Sequence, residues 1–122
     1  MIIGTGIDIV KIDRFADKTN NTRFMARVFT MREREYLASK GLQSMAGLFA
    51  AKEAVVKALG CGFAGFFPCD IEILHNPSGK PYVKLHGEAK HKIKKKRGRR
   101  FLISISISHT DTDAIAMAVV SN

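Results

Sequence analysis

Residues Ile2 to Val10 read as a β-strand with two dissimilar faces. Ile3, Thr5, Ile7 and Ile9 alternate along one face, the β-branched pattern of a pleated strand. The intervening positions set Gly4, Gly6 and Asp8 side by side on the other. A carboxylate between residues without side chains, on an otherwise apolar strand, is costly to desolvate unless a cation meets it. A metal ion or a Lys or Arg must therefore stand close to Asp8.

The polar, basic stretch from Asp13 to Arg27 is expected to be helical. Thr30 and Glu33 then have the Thr-x-x-Glu spacing of a capping box, which predicts a short helix through Leu37. Met45, Leu48, Phe49, Lys52, Val55, Val56 and Leu59 recur at helical spacing and Gly60 supplies the stop, the clearest helix in the chain. On its wheel Lys52 falls on the apolar side, where a lysine is expected to snorkel to water. Asp70 to Leu74 and Tyr82 to His86 alternate around the turn Asn76-Pro77-Ser78-Gly79, which predicts a β-hairpin. A basic helix from Gly87 to Arg97, ended by Gly98, precedes two strands. In the first, Phe101, Ile103, Ile105 and Ile107 alternate with Leu102, Ser104, Ser106 and Ser108; the second runs from Ala114 to Val120. A strand, then helices, then mostly hairpin strands predicts an α+β fold, with an antiparallel sheet packed on helices. At 122 residues there is room for one domain, 1–122, that buries roughly two-thirds of its unfolded surface.

Cys61 and Cys69 have neither CxxC spacing nor neighbouring histidine pairs, so they read as reduced thiols rather than a zinc site or disulfide framework. The apolar start lacks a basic leader and is interrupted by two glycines and Asp8, which argues against a signal peptide or a membrane span. A cytoplasmic protein is expected. The net charge of +9 is uneven: residues 84–100 carry nine Lys or Arg against Glu88 alone. Such a block suits a polyanionic partner, or simply a solvated helix face.

Several residues have the chemistry of a site, and each also has an ordinary reading. Glu53 and Lys57 are four apart and share a helix face offset from the apolar stripe, as a surface ion pair would. His109 continues the isoleucine face of its strand. It is either a structural histidine or a group for phosphate contact or proton transfer near pH 7. Gly60 and Gly62 flank Cys61, as a cap and turn or as backbone able to approach a phosphate.

Taken in order, Gly6-Ile7-Asp8-Ile9, Phe49-Ala50-Ala51-Lys52-Glu53-Ala54 with Lys57 to Gly60, Asp70-Ile71-Glu72-Ile73, Gly79-Lys80-Pro81 and Ser106-Ile107-Ser108-His109 resemble the holo-acyl-carrier-protein synthase family of 4′-phosphopantetheinyl transferases. The likeness runs from Met1 to Val120. It implies a small α+β subunit that assembles as a homotrimer and binds coenzyme A in clefts between subunits. It further implies transfer of 4′-phosphopantetheine from coenzyme A to a serine of apo acyl carrier protein, in support of fatty acid biosynthesis. By that resemblance Asp8 and Glu53 hold Mg²⁺, Lys57 meets the pyrophosphate and leaving group, and His109 contacts phosphate. Gly60, Gly62, Lys80, Pro81 and Ser108 join Lys57 and His109 in binding coenzyme A. The general base is either Glu53 or a metal-bound water. Leu48 stands where several relatives have an arginine facing the nucleotide phosphate, which leaves Lys80, Arg99 or another base as the candidates for that contact; Cys61 stands where threonine is common.

Between Lys11 and Arg34 seven basic residues face three acidic ones. In the resembling family this region docks the acidic helix of the carrier protein, which assigns Arg14, Arg23 and Arg27 to docking, with Phe15 and Met25 beside them. A small nucleic-acid-binding protein is the competing reading of the Lys84–Arg100 block. That block lacks interleaved aromatics and a recognised motif, so nucleic acid is not the expected partner. A non-catalytic coenzyme A-binding subunit is the third.

Overall fold

A computed structural model of the chain describes residues 1–63, 65–97 and 100–122, without the side chains of residues 96 and 97. The expected helix stop Gly98 and the candidate phosphate base Arg99 lie outside the described residues.

The packing is organised by one helix lying on one strand. Strand β1 (Ile2–Lys11) pairs antiparallel with β5 (Asp113–Ser121), which pairs antiparallel with β4 (Leu102–His109), so the sheet order is β1-β5-β4. Helix α3 (Leu42–Leu59) crosses the face of this sheet that carries Gly4, Gly6 and Asp8. A Cβ added at Gly4 would lie 1.9 Å from the Ala58 carbonyl oxygen, and one at Gly6 would lie 2.0 Å from that of Ala54. Any side chain there would push the helix off the strand, so the glycines mark a close backbone approach. The sheet meets α3 with other small residues, Ala114, Ala116 and Ala118, all buried. Gly60 ends α3 at φ 73°, the left-handed cap expected of it.

The isoleucine face of β1 turns outward. Ile7 is 60% and Ile9 65% exposed, and Ile115, Met117 and Leu102 extend this apolar surface across the sheet. A second sheet is the expected hairpin of β2 (Ile71–His75) and β3 (Pro81–Leu85). Helix α4 (Gly87–Arg97) buries Ala89 and Ile93 and leaves Lys90, Lys92, Lys94 and Lys95 exposed, the solvated-face arrangement.

Two expectations need correction. The stretch from Asp13 to Arg27 is not one helix: a 3₁₀ turn at Ile12–Phe15 is followed by turns, and α1 spans only Thr22–Val28. Asn21 caps α1 by accepting from the Phe24 amide, and Asn favours such a cap over a helix interior. Lys52 does not snorkel. It is 1% exposed, and its ammonium donates to Glu33 Oε1 at 2.8 Å, to the Pro68 carbonyl at 3.1 Å and to the Ile71 carbonyl. Glu33 caps α2 (Met31–Leu37) in the expected box with Thr30, and its second oxygen accepts from the Ile73 amide at 2.8 Å. Thr30 donates on to Glu72, which is joined to His86 Nε2 at 2.8 Å.

Candidate active site

The close seating of α3 on β1 delivers Glu53 and Lys57 to Asp8. Lys57 donates to Asp8 Oδ1 at 3.2 Å and to the Ile7 carbonyl at 3.0 Å. Its partner among the described residues is therefore Asp8 and not Glu53, four residues away on the same helix. The lysine anticipated beside the strand carboxylate is Lys57. It meets only half of the need, because Asp8 Oδ2 is buried and has no hydrogen-bond partner among the described residues.

Glu53 shares this electrostatic environment. Burial, and then the charge of Asp8, push its carboxyl above the usual carboxylate range, while Lys57 and Arg14 pull in the other direction. A carboxyl whose proton affinity is raised by a neighbouring carboxylate, and an orphaned buried oxygen on that neighbour, make a site that gains from a cation. Among the described residues no group of three or more His, Cys, Asp or Glu could hold a metal. A metal held by Asp8 and Glu53 would take its other oxygens from elsewhere, which is how Mg²⁺ is usually bound.

His109 belongs to a different place in the chain. It is exposed at the end of β4, with Nδ1 3.1 Å from the Thr110 carbonyl. It lines a cavity with Ile107, with Gly47 and Leu48 from the first half of α3, and with Gly79 and Pro81 from the hairpin. The isoleucine-face placement predicted for it is correct. Glu53 and Lys57 stand in the second half of α3 and do not line this cavity. Lys80 is exposed in the hairpin turn, where Asn76 Oδ1 accepts from its amide. Ser108 lies in register with Ile115 on the outward sheet face, opposite to His109. Gly60 and Gly62 follow α3, both with positive φ, and the space beside Gly62 is open.

The residues assigned to docking divide. Arg14, Arg23 and Arg27 are exposed and make no ion pair among the described residues. The Arg14 guanidinium lies over the rings of Phe15, at 5.8 Å, and Phe49, at 5.2 Å. Met25 is half-buried. Phe15, however, is 1% exposed and packs against Phe24 and Phe49, so it is a core residue and cannot contact a partner. The residues missed from sequence are Tyr36 and His75, stacked in the cavity that His109 lines. Their only signal was an imidazole at the end of a hairpin strand.

The chain is similar to known proteins in sequence and in fold. The family model of the 4′-phosphopantetheinyl transferase superfamily matches residues 4–116. A holo-[acyl-carrier-protein] synthase of Clostridium perfringens strain 13 is 52% identical over 92 residues, 73% of this chain and 69% of that one. The crystal structure of the Neisseria meningitidis synthase superposes with a TM-score of 0.86 at 32% identity, covering all of both chains. That of the Helicobacter pylori synthase in complex with coenzyme A superposes with a TM-score of 0.81 at 34% identity, covering 96% of this chain and 99% of that one. With its strand carboxylate, its helix Glu and Lys, and this match over nearly its whole length, the chain belongs to the 4′-phosphopantetheinyl transferase superfamily.

Proposed function

We propose that the chain, acting as one domain over residues 1–122, is a holo-acyl-carrier-protein synthase. It moves 4′-phosphopantetheine from coenzyme A to a serine of apo acyl carrier protein, a step that serves fatty acid biosynthesis. The observation that carries this reading is the Asp8–Glu53–Lys57 cluster, with its orphaned oxygen and its raised carboxyl. Asp8 and Glu53 are the residues that hold Mg²⁺. The ion supplies neutralisation of charge on the pyrophosphate oxygens.

In the reaction a bond forms between the serine oxygen and the β-phosphorus of coenzyme A, and the bond from that phosphorus to the bridging oxygen of adenosine 3′,5′-bisphosphate breaks. Such transfers are catalysed mainly by positioning and charge stabilisation. Lys57, half-exposed beside Asp8, is placed to meet the negative charge that develops on the leaving phosphate. The serine proton is taken up either by Glu53 or by a water at the site. Gly60, Gly62, Lys80, Pro81, Ser108 and His109 make the remaining coenzyme A contacts. Arg14, Arg23 and Arg27, beside Met25, receive the acidic carrier.

The active unit is a homotrimer with its sites between subunits. Two observations favour it: neither Asp8 nor Glu53 lines the cavity of His109, and Ile7, Ile9, Ile115, Met117 and Leu102 leave an exposed apolar sheet face. The enzyme works in the cytoplasm, in keeping with free Cys61 and Cys69. No helix among the described residues is long and apolar enough to cross a membrane.

Mass spectrometry of an apo carrier protein incubated with coenzyme A, Mg²⁺ and the enzyme tests the reading. The expected result is one phosphopantetheine added per carrier, and an unmodified carrier contradicts it.

A further inference from the structure

Strands β3 and β4 belong to separate sheets and lie against one another without pairing. With helix α4 they line a cavity of about 380 Å³. Val83 and Leu85 of β3, Phe101 just before β4 and Ile103 within it give the cavity apolar walls, and all four side chains are half-buried. The exposed Leu102 lies beside them. Among the described residues the charged groups of the lining are all cationic: Lys84, Lys90 and Lys94. None of these lysines makes an ion pair among the described residues. Lys90 and Lys94 are four apart and share one face of α4, while Ala89 and Ile93 turn the adjoining face into the core. Asp8, Glu53, Lys57 and His109 do not line this cavity, so it stands apart from the candidate active site.

We propose that this cavity binds a single-chain fatty carboxylate, with the hydrocarbon against the apolar walls and the carboxylate among the three lysines. The site is separate from the transfer reaction and does not depend on that reading. Ammonium groups gathered around one cavity repel one another, and an anion between them turns that repulsion into attraction. The half-buried walls keep apolar surface in water, and a hydrocarbon chain laid on them removes it. A mostly apolar recess with a few convergent polar groups is the composition of a small-ligand site, and its volume falls within the roughly 300–1,000 Å³ of such pockets. A fatty carboxylate meets both needs at once. An inorganic anion would leave the walls wet, and a neutral alcohol would leave the lysines unmet. A bilayer surface asks for apolar side chains that project from the basic face, whereas Ala89 and Ile93 of α4 point into the core. Single-stranded nucleic acid asks for exposed rings on which bases stack, whereas Phe101, the aromatic residue of the lining, is half-buried in a wall.

Isothermal titration of the full chain with octanoate, decanoate and dodecanoate, each below its micelle concentration, and with octanol tests this. Affinity is expected to rise about threefold to fourfold per added methylene. It is expected to be about tenfold lower for octanol than for octanoate, and about tenfold lower for decanoate in the combined variant Lys84→Gln, Lys90→Gln and Lys94→Gln. The melting transition of that variant confirms its fold, since all three side chains are exposed. In the wild type, decanoate is expected to move the amide resonances of Leu85, Lys90 and Ile103 and to leave those of Ile7 and Met117, on the apolar sheet face, in place. Absence of binding by every carboxylate, octanol binding as tightly as octanoate, or undiminished binding by the folded variant overturns the proposal. Shifts at Ile7 and Met117 without shifts at the cavity overturn it in favour of the sheet face. Capture by phosphatidylglycerol vesicles with no binding of the dissolved carboxylates overturns it in favour of a bilayer surface.

Discussion

Lys52 and Lys57 stand five residues apart on one helix and have opposite surroundings. Lys52 is buried and spends its three ammonium protons on Glu33, Pro68 and Ile71. Burial pulls its pKa below that of an ordinary lysine, and the charge of Glu33 works against that pull. Lys57 is 54% exposed, and the Asp8 carboxylate it touches keeps one oxygen buried and unpartnered. The first lysine is saturated, so a further ligand has nothing to bind. The second belongs to a cluster with unmet need, and unmet need in a native fold marks a place for a ligand. Two lysines in one short motif thus divide between scaffold and site.

The contrast can be broken by substitution. The largest expected effect is on transfer: Glu53→Ala should abolish it at any Mg²⁺ concentration while a cooperative melt persists, and appreciable transfer at limiting Mg²⁺ would remove Glu53 from the metal. Lys52→Ala should cost about 3–5 kcal/mol of unfolding free energy, because it strands the Glu33 charge in the core. Denaturant titration reads this directly. The pair Lys52→Met with Glu33→Leu should recover only part of the loss, since the Thr30 and Ile73 amides also lose their acceptor. Lys57→Ala should lower turnover about 10²- to 10³-fold. Its change in stability should be smaller than that of Lys52→Ala, because Lys57 is half-exposed where Lys52 is buried.

Smaller effects belong to the rim. Arg14→Glu and Arg27→Glu should raise the Michaelis constant for the carrier about five- to tenfold and leave that for coenzyme A unchanged. Salt should weaken carrier capture more in the parent than in these variants. Reversal of Lys94, Lys95 and Lys96 should matter less, although the side chain of Lys96 lies outside the described residues. Steady-state kinetics with the carrier varied compares them. The smallest effect is on stability. A carboxyl whose folded pKa is raised destabilises the fold at pH values above that pKa, and the penalty fades as pH falls towards the unfolded value. Glu53→Gln should therefore raise the melting temperature slightly at pH 7 without Mg²⁺, and show no such gain near pH 4.

Local rules made much of this legible in the sequence. The Thr30–Glu33 box, the Gly60 stop, the hairpin and the β4 alternation depend on neighbours within a few residues, and all appear as read. Asp8 was legible as a carboxylate in need of a cation, since its surroundings on the strand were already anomalous. Lys52 was placed on the correct side of its helix, but its fate depends on Glu33, 19 residues back, and on carbonyls 16 and 19 residues ahead. No periodicity carries that information. Gly4 and Gly6 hid their function for the same reason, because the atoms they make room for are carbonyls of a helix some 50 residues away. The false helix at Asp13–Arg27 came from reading polar composition through Asn20 and Asn21, where the side chain of Asn21 caps α1 instead of continuing a helix.

The central claim is that Asp8 works at the reaction and not in the fold. Asp8→Asn keeps the size of the side chain and removes its charge. Mass spectrometry of apo carrier protein incubated with coenzyme A, Mg²⁺ and this variant, at a temperature where its melt shows it fully folded, tests the claim most directly. The account predicts that the carrier stays unmodified, whereas holo carrier formed at near the parent rate would contradict it.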